Sequence, residues 1–265
     1  MINIIKSLNY TTRRSTLAAL TIFSMIVLPI LFSLLSSKFG GISFKELTGD
    51  VYMTAVSGNM IIIFVIAVLI FATMLVRSDA GDKTLNYELM NGHSRSQVFW
   101  ARMITGYGWA VILVMFFFFL PFGYFSLING WGLSVDKGEA FQRLILLIFP
   151  VIRLCTLFMM LSSVSRSAGR GAAFSYLVMM IIVMAGSILD DGFHIDTRSI
   201  FATSDIAWVI TYENSRNIVV NGQQVTRMDY ATTSGEMVKT IVVSLAVSAV
   251  YLTIAYIVFK KKDRD

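Results

Sequence analysis

Few residues of this 265-residue chain are of a type and spacing that could do chemistry. The two histidines, His93 and His194, fall on opposite sides of the membrane threading set out below, so they cannot share a metal. No serine, threonine or cysteine has a legible general base beside it, and Cys155 stands alone inside an apolar run as a small buried residue. The nearest approach to a phosphate-binding loop is Gly81-Asp82-Lys83-Thr84. It lacks the glycine directly before the lysine and the earlier one that such a loop needs, so the chain is not expected to hydrolyse ATP or to be an enzyme by itself. Catalytic, cofactor-binding and metal-binding residues are therefore all assigned as none. Arg153 is the exception within an apolar run. A guanidinium there must face protein or a water-filled cavity. Three readings stay open for it: contact with an anionic substrate group, pairing with backbone carbonyls, or snorkelling along the bend at Pro150.

The elements that position these residues are set by composition. Hydrophobic residues make up 56% of the chain and charged residues 14%, with a mean hydropathy of +0.71. That is more apolar surface than a soluble domain of this size hides. Six runs are long enough to cross about 30 Å of hydrocarbon as helices: Leu17–Ser36, Ala55–Val76, Met103–Ile128, Phe141–Ser163, Gly171–Leu189 and Val238–Phe259. The expected fold is an all-α polytopic membrane protein of six transmembrane helices, forming one domain over residues 1–265. The first run is longer than a signal-peptide core and five more follow, so it reads as a span. All three prolines, Pro29, Pro121 and Pro150, fall inside these runs and are expected to bend them.

Basic residues alternate between the two sides of the threading. Lys6, Arg13 and Arg14 precede the first span; Arg77, Lys83, Arg95 and Arg102 lie between the second and third; Arg166 and Arg170 lie between the fourth and fifth. Lys260, Lys261, Lys262 and Arg264 follow the sixth. The opposite short loops carry fewer: Lys38 and Lys45, then Lys137 with Arg143 at the membrane edge. The positive-inside rule places both termini in the cytoplasm of a multi-pass cell-membrane protein. The net charge of +6 then suits contact with anionic lipid headgroups. No basic groove with stacking aromatics points to nucleic acid.

Residues 1–15 carry Ile2, Ile5 and Leu8 at helical spacing, with Ile4 beside them, which predicts an amphipathic helix in the membrane interface. Residues 190–237 are the long outer loop. In it, Asn217 to Thr226 reads as a hairpin turning at Asn221-Gly222, and Ile200 to Ile210 as a short helix with Trp208 at headgroup level. The loop is expected to form a small extracellular cap between the fifth and sixth helices. Ser244 and Ser248, and Gly169, Gly171, Ala172 and Ala173, are small residues spaced for close helix contacts, within the chain or with a second subunit. The methionines Met159, Met160, Met179, Met180 and Met184 suit either a hydrophobic cargo or lipid-facing packing.

The stretch between the second and third spans, residues 77–102, is the most patterned polar segment. Asp82 can cap a short helix over Thr84 to Met90, with Leu85, Leu89 and Met90 forming an apolar patch. Asn91-Gly92 is a left-handed stop signal. Ser94-Arg95-Ser96-Gln97 reads as a capping box that restarts a helix running into the third span.

These residues resemble the permease subunits of ABC-2 type ATP-binding-cassette exporters. There the loop between spans two and three carries an acidic residue and a glycine, a short helix, a glycine or proline, a Ser-Arg pair and a basic residue. The matching positions are Asp79, Gly81, Glu88, Gly92, Ser94, Arg95 and Arg102, with Asp79 standing where Glu is common. The segment also looks similar to that of bacteriocin- and lantibiotic-immunity permeases and related peptide exporters. The resemblance implies that residues 77–102 form a coupling segment. Glu88, Leu89, Met90, Gly92, His93, Ser94 and Arg95 would dock a separate ATPase subunit that binds ATP and Mg. A second permease subunit, identical or related, would complete the path, and the cargo would be a peptide, a lipid or a hydrophobic drug. No cofactor would be bound by this chain. No carboxylate or histidine lies within the runs, which argues against a carrier driven by its own proton or sodium flux. The rivals are a membrane sensor or scaffold that does not transport, and a self-contained channel or carrier.

Overall fold

The computed structural model describes residues 1–39, 47–52, 61–77, 90–165, 168–210, 214–220, 223–229 and 234–261. Its helices are α1 (Ile2–Arg14), α2 (Thr16–Phe39), α3 (Ile61–Arg77), α4 (Arg95–Val114) and α5 (Leu120–Asn129). After these come α6 (Lys137–Leu146), α7 (Ile148–Val164), α8 (Ala168–Ser187), α9 (Ala202–Ile210) and α10 (Ser234–Lys261). A helical turn at Gly49–Val51 and one antiparallel hairpin, β1 (Asn214–Val220) and β2 (Gln223–Asp229), complete the described elements.

Five described helical stretches are long and apolar enough to cross a membrane: Thr16–Leu35, Arg95–Asn129, Lys137–Val164, Gly169–Asp190 and Ser234–Lys261. The expected second span is described from Ile61 to Val76 as a shorter apolar helix; residues 53–60 lie outside the described residues. The third stretch begins at Arg95 rather than Met103 and covers 35 residues, roughly 50 Å at about 1.5 Å per residue. It therefore projects well beyond the hydrocarbon. The fourth begins at Lys137 rather than Phe141, because Asp136 caps it: its carboxylate accepts from the N–H groups of Gly138 (2.8 Å) and Glu139 (3.2 Å).

Lys137–Val164 is the most buried of these stretches, and α7 forms the centre of the bundle, touching α3, α4, α8, α9 and α10. Val151, Phe158 and Met159 on it are fully covered. The small pair Ser244 and Ser248 of α10 is buried as well, which assigns that pair to packing inside the chain.

The prolines act differently at each site. Pro29 lies within an unbroken α2. Pro150 follows a break at Leu147 between α6 and α7. Pro121 follows a π-helical turn, Met115–Phe119. It has no N–H to give to Phe117 O, four residues back. The buried Tyr52 hydroxyl donates there instead, at 2.7 Å, so a residue from a distant loop satisfies the carbonyl that the proline frees.

Both termini reach the same end of the bundle. Ile4 and Leu8 of α1 pack with Val98 and Ala101 of α4 and with Phe259 near the end of α10. Trp109 Nε1 donates to Asn9 Oδ1 at 3.0 Å. The buried face of α1 is Ile4, Leu8 and Thr12. Ile2, expected on the apolar face, is 67% exposed, because the row of residues four apart is the one that meets α4. Arg102 is buried here, and its guanidinium donates to Val76 O at 3.2 Å, satisfying a last-turn carbonyl of α3.

At the opposite, far end the loops interlock around Asp50, which is 1% exposed. Its carboxylate accepts from Thr48, from Val51 N (2.8 Å) and from Ser134 N (2.7 Å). Ser134 O in turn accepts from Met228 N of β2 at 2.7 Å. The hairpin register pairs Val220 with Gln223; the expected turn residues between them lie outside the described residues. Gly132 holds φ +96°, and a Cβ there would collide with the Asp50 carboxylate. Gly132→Ala is therefore expected to cost at least about 2 kcal/mol through left-handed strain and displacement of Asp50. Thermal unfolding in detergent checks this, with Gly130→Ala as the comparison; Gly130 has a similar φ of +83° but no atom within reach of an added Cβ.

Candidate functional site

Two regions of the bundle are candidate sites, one at each end. At the termini end, Glu88 and Leu89 and most of the expected short helix lie outside the described residues. Met90, Gly92, His93, Ser94 and Arg95 are described. Met90 is 82% exposed. Gly92 has φ +81° with nothing within 4 Å of an added Cβ. Ser94 caps α4: its hydroxyl accepts from Gln97 N (3.3 Å), and Gln97 Oε1 accepts from Ser94 N (3.1 Å). The stop signal and the capping box thus form as the residue types predict. His93 is half-buried and Ser94 exposed.

At the far end a cavity of about 670 Å³ opens between α3, α8, α9 and the chain joining α8 to α9. Its apolar walls include Ile61, Val65, Met179 and Val183; its polar rim includes Asp190, His194, Asp196 and Arg198. The joining chain is held in shape by hydrogen bonds. Asp190 accepts from Thr197 N (3.0 Å) and Thr197 Oγ1 (2.6 Å), and Thr197 Oγ1 is also hydrogen-bonded to Ser204 Oγ (2.9 Å).

Arg198 grips Asp196 through Nε (2.8 Å) and a terminal nitrogen (3.2 Å). These hydrogen bonds hold the Asp196 carboxyl below the usual carboxylate range. The ring of Trp208 faces two guanidiniums, Arg198 at 4.8 Å and Arg143 at 5.1 Å from its centroid. The expected helix over Ile200 to Ile210 forms from Ala202, and Trp208 is half-buried against the cavity.

Arg153 does not line this cavity. It is 1% exposed in the second turn of α7 and turns toward the chain before α9. Of the three readings of Arg153, the pairing with backbone carbonyls is the one the geometry displays, with a carboxylate added. That carboxylate belongs to Asp205, 2% exposed on α9. Burial pushes its carboxyl up to about 6, while Arg153 and Thr240 act in the opposite direction.

Sequence reasoning does not single out Asp50 or Asp205, and it places Trp208 without the two guanidiniums that face its ring. A lone acid within the apolar run Ala202–Ile210 was the available signal for Asp205; for Asp50 there was none beyond the glycine before it.

Among the described residues, no group of three His, Cys, Asp or Glu side chains is placed to hold a metal ion. The arrangement can take a ligand with apolar and charged parts.

No curated protein matches the chain. The family described as "ABC-2 family transporter protein" matches residues 11–264, from the last turn of α1 to beyond α10. The chain therefore belongs to the ABC-2 family: it is a multi-pass membrane protein and a permease component of an ABC transporter, a kind of component that associates with ABC ATPase subunits.

Proposed function

We propose that this permease is an exporter subunit whose segment Glu88 to Arg95 docks a separate ATPase subunit. Its far-end cavity would be part of the path of a peptide, a lipid or a hydrophobic drug. ATP and Mg are bound by the ATPase, and this chain performs no catalysis of its own. Both termini and the docking segment face the cytoplasm; α1 rides at the inner surface against anionic lipid, and residues 190–237 cap the path outside. The whole chain, 1–265, acts as one permease domain, and a second permease, a copy or a relative, completes the path. The mostly exposed membrane windows of α8 and α10, each 17% buried, leave apolar faces for lipid and for that subunit.

The observation that carries the docking reading is the way the described part of the segment joins its span. Met90 projects into solvent, Gly92 turns the chain, and the Ser94 capping box starts a helical stretch that continues to Asn129. A push on this knob crosses only the short turn at residues 91–94 before it enters a helix that continues into the membrane, which suits a two-state coupling element. The cavity supports the cargo reading, because apolar walls under a charged rim favour an amphipath over a small ion.

The test is purification of the chain from its native membrane in mild detergent, followed by mass spectrometry. A stoichiometric ATPase that is lost when Glu88 to Arg95 is replaced by a Gly-Ser stretch is the expected result. A chain that purifies alone and conducts or binds unaided would sink the proposal in favour of a channel or sensor.

A further inference from the structure

Arg153 has a role that the cavity and the docking segment leave unused. Its guanidinium lies in the interior of the bundle, where an ion needs partners; among the described residues Nε is buried without one, and the two terminal nitrogens carry the pairing. That pairing comes from the far-end segment. One terminal nitrogen donates to Ser199 O (3.0 Å) and to Ile200 O, and the other reaches Arg198 O at 3.5 Å. The latter also stands 3.8 Å from Asp205 Oδ2. Asp205 Oδ1 accepts from Thr240 Oγ1 of α10 at 3.2 Å. These carbonyls belong to the residues just before α9 and need donors once buried. The planar fork of an arginine can serve several of them at once; a lysine ammonium cannot match that geometry.

The consequence reaches the cavity wall. The backbone of Arg198 is tied to Arg153, while its side chain lies over Trp208, and both residues line the cavity. We infer that Arg153 is a positioning residue: with Asp205 it forms a buried tie that seats the segment Arg198–Ile210 on the central helix and on α10, and so sets the wall of the cavity. The importance of that wall for cargo rests on the proposed transport reading; the tie itself does not.

The test uses the full chain in lipid nanodiscs with no ATPase and no cargo. Its four tryptophans are replaced by 5-fluorotryptophan, and the Trp208 resonance is assigned with Trp208→Phe. Arg153→Met is expected to shift and broaden the Trp208 fluorine resonance while those of Trp100, Trp109 and Trp131 stay in place. Adding Asp205→Leu removes the unpaired carboxylate and should restore the melting temperature without restoring the Trp208 resonance, since the carbonyls still lack their donor. An unmoved Trp208 resonance in Arg153→Met overturns the inference. So does recovery of that resonance in the double variant, which would mean that only the buried charge mattered. Should Arg153→Met disturb all four resonances, Arg153→Lys decides: a shift at Trp208 alone supports the tie, and any other pattern overturns it. Failure of the ATPase to co-purify would count against the transport reading and leave this result untouched.

Discussion

Gly92→Val is expected to release the ATPase subunit, and with it cargo-stimulated ATP hydrolysis, while leaving the melting temperature of the permease within a few degrees of the parent. The physical argument is local. Gly92 holds φ +81°, a region closed to β-branched residues except at a cost of roughly 1–2 kcal/mol or more. Nothing lies within 4 Å of an added Cβ, so the penalty is one of backbone conformation and not of crowding. The chain relieves it by leaving the left-handed turn, which redirects Met90 and everything before it while the Ser94 capping box still starts α4. The docking knob then points away from its ATPase.

Asparagine is the control, because it enters the left-handed region readily; Gly92→Asn should keep most of the stimulation. Arg95→Glu probes the same segment by charge, and should also uncouple. The measurements are co-purification of the ATPase and its hydrolysis rate with and without cargo. Normal stimulation in both Gly92→Val and Arg95→Glu would remove the coupling role from this segment.

The second large effect is expected at the opposite end. Val183→Trp should lower cargo stimulation at least about tenfold, equivalent to about 1.4 kcal/mol, with ATPase binding unchanged. Val183 sits on the wall of the 670 Å³ cavity and is only partly buried against the core. An indole there has open space to enter. The usual overpacking cost of about 1–3 kcal/mol in a filled core is therefore largely avoided. Loss of function with the fold and the docked ATPase both intact identifies the cavity as path; Val183→Ile, which adds one methylene, should be nearly silent. Full stimulation in Val183→Trp would show that cargo passes elsewhere. The two variants fail differently, one by losing the ATPase and the other by keeping it idle, so each reading is tested apart from the other.

Much of this molecule was legible in its residues because the signals were local. Apolar runs of twenty or so residues mark spans regardless of what they pack against. Ser94 with Gln97, and Asn91 with Gly92, mark a helix start and stop within one turn of chain, and both form as the residue types dictate. The hairpin over residues 214–229 follows from alternation around a turn signal. Span limits were less legible. The third stretch begins where the Ser94 capping box was expected to start it, but the fourth begins earlier than its apolar run, because a polar cap at Asp136, not hydrophobicity, starts that helix. Which apolar residues of α1 meet the protein was not legible either, since several offered competing rows and only contact with α4 selects Ile4, Leu8 and Thr12.

What the sequence determined by itself was therefore the membrane character of the chain, the approximate placing of its spans, and a patterned polar segment ahead of the third. Each follows from residue type and short-range spacing. Only the tertiary structure decided the partnerships across long separations. Tyr52 serves the carbonyl that Pro121 frees, 65 residues on from it at Phe117. Asp50 gathers loops 84 residues apart at Ser134. Arg153, which the sequence left with three readings, meets the backbone before α9 and the carboxylate of Asp205. A buried polar group must be satisfied by something, but residue type does not say by what. The partner is fixed by which helices pack together, and that is a property of the whole bundle.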